Sequence, residues 1–87
     1  MNYELFRSSQ ALRQLRRLQR THSLIIPLIV ARITALSDNP RPSGATKLVN
    51  REEWRVRVGN YRVLYQIDDK NRTVTIVSIS HRREVYR

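Results

Sequence analysis

One segment of the chain, positions 54–67, has an apolar residue at every second position on each side of Gly59-Asn60, and the positions between are polar except for Leu64. Alternation with a period of two is typical of a β-strand that buries one face. A two-residue Gly-Asn link is typical of the primed turns that join antiparallel strands tightly. The segment therefore predicts a β-hairpin in which Val58 lies opposite Tyr61.

The register of this hairpin decides which side chains share a face of the sheet. Counting outward from the turn places Arg57 opposite Arg62. Two positions further out, Arg55 lies opposite Leu64. Like charges directly opposite each other destabilise a sheet, so folding alone does not explain the arginine pair, and a phosphate bound between the two guanidiniums would resolve the conflict. The other face is the predicted core, with Trp54, Val56, Val58, Tyr61, Val63, Tyr65 and Ile67.

A third strand is predicted over positions 73–80, where β-branched residues are frequent. If it pairs antiparallel with the second strand of the hairpin, it ends near the point where that strand begins. We therefore expect His81, Arg82 and Arg83 to emerge beside Arg62.

The N-terminal half predicts two helices. Ser8 or Ser9 is the N-cap candidate of a helix that runs to about Thr21, with leucines on one face and arginines on another. Positions 23–38 predict a second helix, because Pro27 is tolerated in a first turn.

These elements together predict the fold class. Positions 3–6 are a candidate short strand, and a loop over positions 39–44 separates the helices from the hairpin. We expect an α+β fold in which two N-terminal α-helices pack on a three- to four-stranded antiparallel β-sheet. Positions 1–87 are expected to form a single domain.

Arginine dominates the charge of the chain. The 17 lysines and arginines exceed the 7 aspartates and glutamates, which leaves a net charge of +10. Because guanidinium groups bind phosphate bidentately, this composition favours a nucleic-acid partner over a merely solvated basic surface. Arg13 and Arg17 lie on the basic face of the first predicted helix. Two interpretations of this basic face stay open: it is a solvated surface, or it contacts RNA, the ribosome or an acidic partner.

The chain contains no cysteine, and its most apolar segment, positions 24–36, includes Pro27 and Arg32. A disulfide framework is therefore excluded, and a membrane-spanning helix is not expected. These features predict a cytoplasmic protein with no membrane partner.

Acidic residues and histidines are scattered along the chain, which argues against metal-assisted hydrolysis, and no cofactor is expected. RNA can be cut without a metal because its own 2′-hydroxyl can attack the adjacent phosphate, given a base, an acid and cations. Arginine supplies only the cations. Tyr86 and His81 are the candidates for proton transfer, since cations favour a phenolate and histidine titrates near neutral pH. A packing role for Tyr86 and a structural role for His81 stay open.

Two segments, positions 54–65 and 81–87, resemble the RelE/ParE superfamily of toxin–antitoxin toxins and specifically its RelE branch. They have the sequences WRVRVGNYRVLY and HRREVYR. The loop at positions 39–42 and Lys47-Leu48 are also similar. The resemblance implies a RelE-like fold, ribosome-dependent cleavage of mRNA in the ribosomal A site, and neutralisation by a cognate antitoxin protein.

The resemblance also implies roles for individual residues. Its implied catalytic residues are Arg57, Arg62, Arg82 or Arg83, Tyr86 as the base and His81 as a possible acid. Members of this family often have lysine where this chain has Arg55 and Arg57, which favours His81 over a lysine as the acid. The expected RNA-binding residues are Arg55, Lys47, Arg13 and Arg17.

Two other functions stay open at the level of sequence. A ParE-like toxin shares the fold but inhibits DNA gyrase without being an enzyme, and the combination of Arg62 with Tyr86 argues against it. A non-catalytic RNA-binding module would only grip phosphates, with a steep salt dependence and no cleavage.

Overall fold

A computed structural model of the chain describes residues 2–81. These residues form a five-stranded β-sheet with two α-helices packed on one face. The strands are β1 (Glu4–Arg7), β2 (Thr46–Lys47), β3 (Trp54–Val58), β4 (Tyr61–Asp68) and β5 (Thr73–His81). The helices are α1 (Ser9–Thr21) and α2 (Ile26–Ala35), and a 3₁₀ turn over Ser23–Ile25 joins them.

The strand order in the sheet is β1-β5-β4-β3-β2. Strands β2 to β5 pair antiparallel with their neighbours, whereas β1 pairs parallel with β5. The predicted α+β class with two N-terminal helices is confirmed. The expected three- to four-stranded antiparallel sheet is wrong, because the sheet has five strands and is mixed. The candidate strand at positions 3–6 is β1, and the unexpected strand is the two-residue β2. The parallel pairing of β1 with β5 joins the two ends of the chain, and local periodicity carries no information about such a contact.

The hairpin of β3 and β4 has the predicted register. Val58 lies opposite Tyr61, and Arg57 lies opposite Arg62. The turn has a φ of 57° at Gly59 and no positive φ at Asn60, which is the pattern of a type II′ turn. A side chain at position 59 would be strained by this conformation, so glycine secures the tight turn and with it the register.

The core lies between the two helices and one face of the sheet. Helix α1 contributes Ala11 and Leu18, and α2 contributes Ile29 and Ile33. The sheet contributes apolar side chains that the alternation in the hairpin predicted, together with residues of β5: Val56, Val58, Val63, Tyr65, Val74, Ile76 and Ile79. The other predicted core residues of the hairpin, Trp54, Tyr61 and Ile67, are partly buried at its margin.

Both predicted helices form, and the second is shorter than predicted at both ends. Helix α1 begins after Ser8, whose Oγ accepts a hydrogen bond from the Ala11 backbone N–H at 3.0 Å, so Ser8 is the N-cap. It ends at Thr21, as predicted. Helix α2 is shorter than the predicted 23–38, because a 3₁₀ turn precedes it and turns follow it. Pro27 lies in its first turn, where the missing N–H has no helical acceptor to lose.

Ser8 and Gln14 form hydrogen bonds with backbone groups of β5 beyond the point where β1 ends. The Ser8 hydroxyl donates to the Val77 carbonyl at 2.7 Å, and the Ser8 backbone N–H donates to the Ile76 carbonyl at 2.9 Å. Further along, the Ile79 backbone N–H donates to Gln14 Oε1 at 2.6 Å. The helix therefore protects an edge that would otherwise expose unpaired backbone groups.

The loop after α2 is attached to the sheet through Tyr65. Its hydroxyl donates to the Pro40 carbonyl at 2.7 Å, and its side chain is fully buried. Burial raises the pKa of Tyr65 to about 12, so the phenol stays protonated and keeps this hydrogen bond at any physiological pH.

A polar cluster around Asp69 ties together the first residues of the chain, the loop after α2 and the β4–β5 turn. Its carboxylate accepts from the Tyr3 hydroxyl at 2.6 Å and from two Arg41 nitrogens at 3.2 and 2.9 Å. The hydrogen bonds from Arg41 and then from Tyr3 lower the pKa of Asp69 from 3.8 to about 2.

Replacing Ser8 with alanine should lower the free energy of unfolding by about 1–2 kcal/mol, because the helix loses its N-cap and the Val77 carbonyl loses a donor. Ser9→Ala is the matched control, since Ser9 is exposed and lies one residue inside the helix. Urea unfolding followed by circular dichroism measures both. Equal losses in the two variants would contradict the double role of Ser8.

The Asp69 cluster predicts an acid-sensitive contribution to stability. Because the pKa of Asp69 is lowered on folding, its stabilisation is present above about pH 4 and is lost as the pH falls through about 2. The urea midpoint of the wild type should therefore fall more steeply between pH 4 and pH 2 than that of Asp69→Asn. Asp38→Asn removes a carboxylate outside these hydrogen bonds and should keep the wild-type slope.

Candidate active site

Three arginines share the face of the sheet that points away from the helices, and we call this set the arginine face: Arg55, Arg57 and Arg62. In the strand register Arg57 lies directly opposite Arg62. On the other side of β4, Ser80 of β5 lies opposite Arg62. Directly opposed residues project to the same face, so the two guanidiniums belong to one surface, as the sequence predicted.

The two opposed arginines differ sharply in exposure. Arg62 is 3% exposed and is the one buried charged side chain among residues 2–81. Arg57 is exposed, and Arg55 is half-buried. Burying a guanidinium costs free energy that apolar packing does not return, so the buried Arg62 beside the exposed Arg57 is a candidate position for binding an anion.

The hairpin turn adds a small recess next to this pair. It is lined by Arg57, Gly59, Asn60, Tyr61 and Arg62 and has a volume of about 30 Å³. That volume is comparable with the space of one water molecule. A nucleotide does not fit inside it, so a substrate at the arginine face must lie across an open surface, as an extended strand does.

The arginine face supplies positive charge and hydrogen-bond donors. These groups can hold a phosphate and stabilise the charge that develops on it during phosphoryl transfer. They cannot transfer protons, because arginine stays protonated. Proton transfer therefore requires other residues.

His81 lies at the predicted end of β5 but projects to the other face. It is opposite Tyr61 in the register, and the centroids of the two rings are 5.2 Å apart. Since Tyr61 belongs to the helix side of the sheet, the imidazole and the opposed guanidiniums lie on different faces. The sheet therefore lies between the His81 imidazole and the phosphate site formed by Arg57 and Arg62, where His81 was expected to be the acid.

Lys47 is also separated from the arginine face. It lies opposite Trp54, which packs against the core on the helix side of the sheet, and its Nζ donates to the Arg51 carbonyl at 2.6 Å. Arg13 and Arg17 lie on α1 with exposed side chains. Of the four expected RNA-binding residues, Arg55 is therefore the one that shares a surface with Arg57 and Arg62.

Arg82, Arg83 and Tyr86 lie outside the described residues, and their expected roles stay predictions. Within residues 2–81 no group of three or more His, Cys, Asp and Glu residues is arranged to hold a metal ion. In the same part of the chain, no helix combines the length and apolar character needed to cross a membrane.

The fold creates a cavity of mixed polar and apolar lining that the sequence did not predict. Its volume is about 400 Å³, and it lies on the helix side of the sheet between α1 and the ends of β4 and β5. His22 and His81, far apart in sequence, both reach Tyr61 there, with ring centroids 6.5 and 5.2 Å from it. The meeting of these three rings depends on where the end of α1 packs against the sheet. No local sequence pattern predicts that position.

The family model and the sequence relative that match this chain both describe toxins. The model of the ParE toxin of type II toxin–antitoxin systems (parDE) matches residues 5–86. The toxin RelG of Mycobacterium tuberculosis is 52% identical over 31 residues, so the match spans only 36% of this chain and 36% of that relative.

Two solved toxin structures share the fold of this chain. The toxin–antitoxin complex RelBE2 from Mycobacterium tuberculosis contains a chain that is 28% identical, with a TM-score of 0.79 and coverage of 93% of this chain and 99% of that one. The RelE toxin of E. coli, solved as a free mutant, has a TM-score of 0.78 at 23% identity, with coverage of 99% and 92%, and shares the fold.

Because Arg57 and Arg62 lie directly opposite each other, removing one of them should stabilise the fold. Arg57→Thr should raise the free energy of unfolding by about 0.2–1 kcal/mol, because it removes a like-charge pair and places a β-branched residue in a strand. Arg55→Thr, opposite Leu64, removes the same charge from the same strand without relieving such a pair. Urea unfolding should show a larger gain for Arg57→Thr than for Arg55→Thr, and the difference between the two should shrink at high salt.

Proposed function

Because this chain belongs to the ParE toxin family of type II toxin–antitoxin systems, within the RelE/ParE superfamily, we propose that it is a RelE-type toxin that cleaves mRNA on the ribosome without a metal ion. The observation that carries this proposal is the directly opposed pair of Arg57 and Arg62, one exposed and one 3% exposed. Such a pair disfavours folding and favours a bound phosphate.

In the proposed reaction the RNA provides its own nucleophile. The 2′-hydroxyl of one nucleotide loses its proton and attacks the adjacent phosphorus, and the bond to the 5′-oxygen of the next nucleotide breaks. The products are a 2′,3′-cyclic phosphate and a 5′-hydroxyl. Arg57 and Arg62, with Arg82 or Arg83, hold the phosphate and stabilise its extra negative charge, and Arg55 binds the flanking backbone.

Tyr86 is the proposed residue for proton transfer. A phenol has an ordinary pKa of about 10, and neighbouring cations favour its ionised form. His81 does not share this role in the proposal, since its ring lies against Tyr61 on the other face of the sheet. One residue that removes the proton from the 2′-hydroxyl and returns it to the leaving oxygen satisfies the proton balance of the reaction.

The proposed partners follow from the same family and charge. Structures with this fold include toxin–antitoxin complexes, which supports a cognate antitoxin for this chain. The net charge of +10 suits a ribosomal RNA surface. The exposed Arg13 and Arg17 of α1 are candidates for that contact.

A second candidate function, inhibition of DNA gyrase, is favoured by one observation: the matching family model is named for the ParE toxin. That activity requires no phosphate chemistry. Only the ribonuclease proposal predicts a cleaved RNA that disappears when Arg57 or Arg62 is replaced.

Primer extension on a reporter message in a translating cell-free extract tests the proposal. Wild-type protein should produce cuts inside translated codons, and Arg62→Ala should weaken them about 100-fold or more, as expected for loss of a preorganised donor to the developing charge. Tyr86→Phe should weaken them similarly. Arg16→Ala is the control, because it removes one exposed arginine from the helix side.

Two further results decide between the candidates. A 2′-deoxy substitution at the scissile nucleotide should abolish the cut, because it removes the nucleophile. An intact message in the presence of wild-type protein, together with inhibited supercoiling by purified gyrase, would reject the ribonuclease proposal in favour of gyrase inhibition.

A further inference from the structure

The cavity on the helix side of the sheet, which we call the helix-side cavity, has the composition of a binding site. Its volume of about 400 Å³ is within the range of small-molecule sites. Its lining combines a guanidinium, an amide, two imidazoles and a phenol above an apolar floor of Leu18 and Ile79. The full lining is Gln14, Arg17, Leu18, Thr21, His22, Tyr61, Ile79 and His81.

Hydrogen bonds to the backbone fix the orientation of Gln14 in this lining. Its Oε1 accepts from the Ile79 backbone N–H at 2.6 Å, and because an N–H requires an acceptor, the amide oxygen must be the atom that faces β5. The other end of the amide is an NH₂ group, which can only donate. The cavity wall therefore carries a donor held in place by the sheet.

A second chain of hydrogen bonds fixes the tautomer of His22. The Thr21 hydroxyl donates to the Arg17 carbonyl at 2.9 Å, which uses its single proton. The 3.0 Å contact between Thr21 Oγ1 and His22 Nδ1 must then have the imidazole as donor. In neutral His22 the Nε2 atom is therefore an acceptor, which complements the donor on Gln14.

Aromatic groups complete the site. Tyr61 lies between His22 and His81, in edge-to-face contact with both, at interplanar angles of 63° and 89°. Aromatic surfaces beside a cation, with a fixed donor and a fixed acceptor, are the groups that bind an unstacked nucleobase and its phosphate. Arg17 is the cation of this set.

The helix-side cavity and the candidate active site lie on opposite faces of the sheet and share one lining residue at the hairpin turn. Tyr61 lines both this cavity and the recess beside Arg57 and Arg62. The hairpin turn is therefore the boundary between the phosphate site and the cavity. A strand whose phosphate lies at the arginine face can pass over the end of the sheet and present its next nucleotide to the cavity.

We propose that the helix-side cavity binds one unpaired nucleotide of an RNA strand, with the base against Tyr61 and His22 and a phosphate at Arg17. This inference deepens the proposed function and rests on it for the identity of the strand. The subsite would select among bases at a fixed distance from the cut. A protein segment is disfavoured here because Gln14, Arg17 and His22 present polar groups that an apolar side chain would leave unpaired.

Binding of a non-cleavable probe tests the inference without relying on catalysis. The probe is a 2′-O-methyl RNA trinucleotide with a fluorescent label, measured by anisotropy against the whole protein. Arg17→Ala and His22→Ala should each weaken binding about tenfold, as expected for loss of a phosphate contact or an aromatic contact to a base. Arg16→Ala, one residue away and exposed, loses the same charge outside the cavity and should change affinity by less than about twofold.

An abasic version of the probe separates the base from the phosphate. Removing the base at the seated position should weaken binding to wild-type protein about tenfold but should cost clearly less in His22→Ala, because one of the two aromatic partners of that base is already absent. Equal losses in wild type and His22→Ala at every position would overturn the inference. So would equal effects of Arg16→Ala and Arg17→Ala, which would show a diffuse basic surface.

The outcomes also separate this inference from the proposed function. Tenfold losses for the cavity variants, with no cleavage of any message, would support the nucleotide subsite and reject the enzyme. Cleavage by wild type that persists unchanged in Arg17→Ala and His22→Ala, with unchanged probe affinity, would reject the subsite and leave the enzyme standing. If these variants lose neutralisation by the antitoxin but keep RNA affinity, the occupant is protein and the inference is wrong.

Discussion

The left-handed backbone at Gly59 is the local constraint on which the candidate site depends. With φ at 57°, this residue closes a two-residue turn and pairs Val58 with Tyr61. A slip of one residue would exchange the two faces of the hairpin, placing arginines in the core and valines in solvent. The turn therefore decides the hydrophobic core and the arginine face together, and the opposed Arg57 and Arg62 are a direct consequence of it.

Helix α1 has a similar double role on the other side of the molecule. Ser8 and Gln14 take over the hydrogen bonding of β5 where β1 ends, with contacts of 2.7 Å to Val77 and 2.6 Å from Ile79. That docking brings Arg17 and the end of the helix over Tyr61. The same contacts that protect a strand edge thus form the wall of the helix-side cavity.

The described structure separates the cations of the arginine face from the two histidines. The arginine face has groups that stay charged at all relevant pH values and can stabilise an anion but cannot exchange protons. The described histidines, His22 and His81, lie with Tyr61 on the helix side. The proposed nuclease therefore needs a proton-transfer group besides these fixed cations and the two histidines, and Tyr86 is the candidate that the sequence offers.

The sequence by itself determined the parts of this protein that depend on neighbouring residues. The alternation over positions 54–67 and the Gly-Asn turn were sufficient for the hairpin, its register and the Arg57–Arg62 pair, because strand period and turn geometry are local properties. Ser8, one of the two N-cap candidates, and Thr21 likewise marked the ends of α1 through local capping and backbone chemistry. Tertiary structure alone decided the parallel pairing of β1 with β5, the burial of Arg62, the face to which His81 projects and the meeting of His22 with Tyr61. Each of these joins or encloses residues that are distant in the chain, and such contacts are selected by the packing of the whole domain rather than by any local pattern.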